Sequence, residues 1–339
     1  MDNNQDNINA LWEELKKQGA SRGDLCDIIK NVPKLMDEAW RELVRIGPNN
    51  NDLRFVIEYV EELRNDAWLR LIANKPNNHD LKNIIECVEP LRKEAWNLFL
   101  KQNPTNLEIR DIIRYVEPLR KEAWEKLIKN KPSENDFSYI MRFVPELRKE
   151  AWERFLKLDP EADDFLQLMK FVPDIRGEAW NKFKNERTSS IELQKVIKDV
   201  PELRNEVWEE MTKKGISAND LCYIMKDIEP LRNKAWAELF KHDPNSENLR
   251  FVMKNVKSLR GEAWMMLLKQ GAENDDLCYV IKDIESLRIS AWEKLKEQNP
   301  TDDELNFIIK YVDALSGEAK KMLKNDKKDI LSRIKNEER

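Results

Sequence analysis

The residues that could do covalent or acid–base chemistry are few and scattered. Only two histidines, His79 and His242, occur in 339 residues. The four cysteines, Cys26, Cys87, Cys222 and Cys278, include no CxxC pair and no metal-ligand spacing. They read as free thiols in a reducing compartment. No GxGxxG, Walker loop, GxSxG or HExxH stretch is present, so carboxylates alone would have to carry any catalysis. The sequence therefore predicts no enzyme, no catalytic or metal-binding residue and no cofactor. A different chemistry, that of contact, is spaced with more regularity. Phe55, Tyr59, Tyr115, Tyr139, Phe143, Phe171, Tyr223, Phe251, Tyr279, Phe307 and Tyr311 fall at two recurring sites, and all six tyrosines of the protein are among them. Next to them a cation recurs at Lys30, Arg114, Arg142, Lys170, Lys198, Lys226, Lys254, Lys282 and Lys310. Tyrosine supplies contact area at small entropic cost, which suits a binding surface.

Tryptophan sets the period of these sites. It stands at 12, 40, 68, 96, 124, 152, 180, 208, 236, 264 and 292, every step being 28 residues, with none outside the series. A fixed period of this size marks a tandem repeat array. Numbering each unit from the residue after one Trp to the next Trp, 97–124 is one unit and 13–320 hold eleven. The aromatics then sit at unit positions 15 and 19, and the cations at 18.

Two helices per unit must position them. Position 9 is usually Ser, Thr or Asn and position 12 Asp or Glu, as in Thr105 with Glu108 and Ser133 with Asp136. That is a capping box, so a first helix starts near position 10. Its apolar residues at 13, 16, 17 and 20, such as Ile109, Ile112, Ile113 and Val116, share one face at 100° per residue. Positions 15 and 19 lie one turn apart, roughly 110–150° from the middle of that stripe. Pro at 21 or 22 opens a second helix, which runs through the Trp to Gly or Asn near position 7 of the next unit. All fourteen prolines fall at such joints. The second helix buries Leu at 23, Ala at 27 and Trp at 28. Between them stands Arg at 24, from Arg64 and Arg92 through Arg120, Arg148, Arg176, Arg204, Arg232 and Arg260 to Arg288. A partly buried guanidinium there calls for a carboxylate partner at the seam between units. Residues 1–12 read as a capping half-unit and 321–339 as a capping helix or tail.

This alternation of short paired helices resembles the α-solenoid class, in the manner of TPR and HEAT repeats. The resemblance is one of architecture: the period is shorter than the 34 residues of TPR, and neither its signature nor that of ankyrin occurs. It implies an all-α, right-handed α-solenoid of 28-residue repeats. It also implies a scaffold that binds a protein or an extended peptide, because solenoids of this class mostly do so.

Charge bears on the partner. The net charge of -5 provides no global attraction for nucleic acid or an anionic membrane. The Lys and aromatic row, with Lys170, Lys198, Lys226, Lys254 and Lys282 as partner-binding candidates at its centre, would suit an extended acidic peptide, or single-stranded nucleic acid as the alternative partner. A structural or self-associating rod is a third. MDNNQDNINALW has no basic start or apolar run, and no stretch approaches a membrane span, so a cytoplasmic protein is expected. The partner is expected to lie along the aromatics and the variable positions 11, 14 and 15.

Overall fold

The structure, a computed structural model, describes residues 3–184 and 188–324. It is all-α: among the described residues there is no strand, and paired helices follow one another in tandem. The chain forms two compact units, Met1–Trp180 and Asn181–Arg339. Residues 325–339 of the expected closing tail lie outside the described part.

Each first helix is ten residues long, as in Asn106–Tyr115 and Glu134–Phe143. It starts where the capping box places it. Ser133 accepts from the Asp136 N–H, and the Asp136 carboxylate accepts from the Ser133 N–H at 2.9 Å. Two orphan donors of the first turn are thereby satisfied. The same box forms with Glu as the cap at Glu161 and Glu273. The second helices from Met36–Ile46 to Arg288–Glu297 are each preceded by a three-residue 3₁₀ turn, and seven of these turns hold a proline, for example Pro145–Leu147 before Arg148–Phe155. Proline costs little there because the first N–H of a turn has no partner within the helix.

The position-24 arginine closes the first helix. In all nine cases its Nε donates to the carbonyl seven residues earlier, as Arg148 does to Met141 at 2.8 Å and Arg176 to Met169 at 2.7 Å. That carbonyl faces the place where residue 21 would donate, and Pro145, Pro173 and Pro201 have no N–H to offer. The guanidinium thus satisfies an end-of-helix carbonyl that would otherwise be orphaned.

Among the described residues, the joint after each second helix takes a left-handed residue at position 7. Gly19, Gly47, Gly215 and Gly271 adopt φ of 82 to 84° there without penalty. Lys75, Asn103, Lys131, Asp159, Asp243 and Asn299 adopt φ of 46 to 56° at the same position. For a side chain other than glycine this costs roughly 1–2 kcal/mol, which the packing around the joint must offset.

The core runs between the helix pairs. Leu, Ile and Val of the first helices meet Ala, Trp and Leu of the second, and Trp96 and Trp292 are completely or almost completely buried. At four of the described tryptophans the indole N–H reaches the position-26 carboxylate of the next repeat, Trp12 to Glu38 at 2.9 Å, Trp40 to Asp66 at 2.8 Å, Trp236 to Glu262 at 2.8 Å and Trp292 to Glu318 at 2.9 Å, whereas the indole nitrogens of Trp68 and Trp124 are buried without such a bond. Where position 26 is Lys234, its ammonium lies 4.9 Å from the Trp208 ring instead. A second clamp joins position 6 to the position-8 carbonyl of the preceding repeat, as Gln102 donates to Pro76 at 2.8 Å and Gln270 to Pro244 at 2.9 Å.

Candidate partner-binding face

Positions 15, 18 and 19 project from the first helices on the side away from the second helices. None of the eleven aromatics found there is buried. Tyr59, Tyr115, Phe171, Tyr223 and Tyr311 are exposed, while Phe55, Tyr139, Phe143, Phe251, Tyr279 and Phe307 are half-buried against the neighbouring first helix. Rings one turn apart meet within a helix, Phe55 with Tyr59 at 4.9 Å, Tyr139 with Phe143 at 4.7 Å and Phe307 with Tyr311 at 4.9 Å. Tyr223 meets Phe251 across a seam at 5.7 Å.

The basic row does not stand apart from the rings. The cation at 18 reaches onto the aromatics of the following repeat: Lys30 lies 3.8 Å from the Tyr59 ring, Lys282 4.8 Å from Tyr311, Lys254 5.5 Å from Tyr279. Others meet carboxylates, Lys198 with Asp227 at 3.1 Å and Lys254 with Asp283 at 3.5 Å. Lys170 lies 5.8 Å from the Phe171 ring. Lys226 is exposed and forms no ion pair among the described residues. Most of the row thus already has a partner within the protein, which leaves little of it as a free track for phosphates.

Position 14, expected to vary with the partner, is drawn into the scaffold. Arg54, Arg110 and Arg250 pair with Asp80, Asp136 and Asp276 of the following repeats at 3.3, 3.0 and 3.2 Å. These aspartates are the capping-box acids, and all three are buried. Position 10 adds a further donor, Asn50 to Asp80 at 2.8 Å and Asn106 to Asp136 at 3.0 Å. Asp220 shows the balance of forces: burial alone would raise its pKa, but hydrogen bonds from Ser190, Ser217 and Gln194 bring it below the ordinary carboxylate value. A buried charge is tolerated because several donors converge on it.

Between neighbouring first helices the face opens into grooves. One of about 510 Å³ is lined by Ile191, Lys198, Tyr223 and Asp227, and one of about 960 Å³ by Arg250, Tyr279, Asp283 and Phe307. A third, of about 680 Å³, lies among Tyr139, Arg142, Phe143 and Phe171. Sequence reasoning missed a groove on the opposite side, between the second helices Arg232–Lys241 and Arg260–Lys269. It holds about 1670 Å³ among Trp236, Phe240, Gly261, Met265, Met266 and Leu268. Trp236 is half-exposed there, with Met265 and Phe240 65% and 60% exposed above it. The signal was available: Met265 and Met266 occupy positions 1 and 2, where most repeats carry a charged residue or Asn.

Among the described residues no cluster of His, Cys, Asp and Glu could hold a metal ion. Burial pushes the thiols of Cys26 and Cys222 up to about 11 and that of Cys278 to about 12, so all three remain protonated and inert at neutral pH. No helix among the described residues is long and apolar enough to cross a membrane. Fold and face together define a tandem helical-repeat protein of two-helix units. Compared with known proteins, the chain matches no family model, and no curated protein matches it in sequence.

Proposed function

We propose that the chain is a non-enzymatic scaffold that holds a partner protein or extended peptide along its first helices. The observation that carries this reading is the set of grooves between adjacent first helices, lined by rings that are neither buried nor needed to close the core. Tyr and Phe held half-exposed beside such grooves give contact area with little entropy left to lose. The helix caps, seam bonds and buried tryptophans keep those rings in register from repeat to repeat. Four free cysteines, three of them buried, suit a reducing setting such as the cytoplasm.

The test compares the wild-type chain with a triple variant, Tyr223→Ala, Phe251→Ala and Tyr279→Ala, as baits in nuclease-treated lysate. Proteins retained by the wild type should be lost from the variant while its helical circular dichroism stays unchanged. Retention of the same proteins by both baits would remove the basis for placing the partner on this face.

A further inference from the structure

Rings and guanidinium groups alternate along one part of the first-helix face. Arg114 lies 4.7 Å from the Tyr115 ring and 3.7 Å from Phe143, and Arg142 lies 5.0 Å from Phe143 and 4.0 Å from Phe171. Arg142 thus lies by two rings, Phe143 of its own helix and Phe171 of the following first helix. Among the described residues neither arginine pairs with a carboxylate within 4.0 Å, unlike Arg54, Arg110 and Arg250 elsewhere on the first helices. Arg114 donates to the Tyr139 hydroxyl at 3.2 Å, and that hydroxyl donates to Asp111 at 3.3 Å. Asp111 is itself engaged by Lys82.

The adjoining groove differs in charge from the other two described above. Its polar lining is Asn135, Ser138, Tyr139, Arg142 and Gln167, with no carboxylate. The other grooves carry Asp227, or Asp275, Asp283, Asp303 and Glu304. A guanidinium stacked on rings has its orientation fixed while its N–H edge stays free, the arrangement that suits bidentate contact with an oxyanion. Neutral hydroxyl and amide groups beside it can donate to the same anion.

We infer that the groove at Arg142 is an oxyanion pocket, taking a carboxylate or phosphate carried on an apolar stem by the bound segment. The pocket rests on the reading of this face as a binding surface and names the chemistry of one contact. Phe143 and Phe171 pack the stem, Arg142 binds the anion, and Ser138 and Gln167 donate alongside.

The experiment uses the full chain labelled at the arginine side chains and three small probes: phenyl phosphate, benzoate and benzyl alcohol. Titration with either anion should move the Arg142 Nε–H signal, and Arg142→Gln should weaken binding at least about tenfold, as loss of a charge-assisted contact does. Phe171→Ala, which keeps the charge and removes the stacking ring, should weaken it too. The stronger of the two anions identifies the group the pocket takes. An unmoved Arg142 signal, equal shifts at all exposed arginines, equal binding by benzyl alcohol, or unchanged affinity in Arg142→Gln would each overturn the pocket. No partner protein is needed, so its failure leaves the scaffold reading standing. Loss of that reading in the capture test would not alter the titration.

Discussion

The same residue at the same repeat position meets different surroundings at Trp264 and Trp236. Trp264 is 5% exposed, whereas Trp236 floors the open groove and keeps its indole N–H on Glu262 at 2.8 Å. Trp264→Ala is expected to cost about 3–5 kcal/mol, as truncation of a large core aromatic does. Trp236→Ala should cost about 2 kcal/mol or less, because less area leaves water when it folds. Both lie in the compact unit Asn181–Arg339, so urea unfolding compares the two variants within one unit. Equal losses would show that Trp236 is as much core as the rest. The tryptophan series was legible from its period alone. The exposure of one member was not, because it depends on what Phe240, Gly261 and Met265 fail to cover.

At the scale of the helix pair, the position-24 arginine shows where sequence reasoning stops. Its spacing placed it at the seam and called for a carboxylate, and Arg148 does meet Asp174 of the next repeat. Yet Asp174 is 69% exposed, and an exposed ion pair contributes about 0–1 kcal/mol. The constant partner is the carbonyl at the end of the first helix, and a carbonyl has no letter in the sequence. Asp174→Asn should therefore change stability by less than about 1 kcal/mol. Arg148→Met, which keeps the stem and leaves the Met141 carbonyl unpaired, should cost about 1–3 kcal/mol. Thermal unfolding of the two variants decides between the cap and the ion pair. If Asp174→Asn were the more damaging change, the carboxylate ladder would regain first place. The capping box of Ser133 and Asp136, by contrast, was readable, because both partners are side chains and their spacing is the motif, although Glu161 and Glu273 as caps were not foreseen.

Over the whole molecule, the 28-residue register that revealed the repeats runs unbroken from Trp180 to Trp208, so the division into two compact units leaves no mark in the period. Composition and the basic row point to different partners. Counted as letters, Lys170, Lys198, Lys226, Lys254 and Lys282 form a track. In three dimensions Lys198 and Lys254 meet aspartates, and Lys282 lies over two rings. Single-stranded nucleic acid would have to displace these contacts before each lysine could neutralise a phosphate. Were it to succeed at four or five lysines, log affinity against log salt would fall with a slope of roughly -3, at about -0.7 per phosphate. We expect instead no binding tighter than about the micromolar level of non-specific contact at physiological salt. A chain of net charge -5 gives such contact no long-range assistance. Labelled oligonucleotides titrated at two salt concentrations measure both quantities, with Lys226→Gln as the control because Lys226 alone of these five is exposed and has no ion pair or ring contact among the described residues. Nanomolar binding that this substitution weakens would make the first-helix face a nucleic-acid surface and displace the protein partner proposed for it.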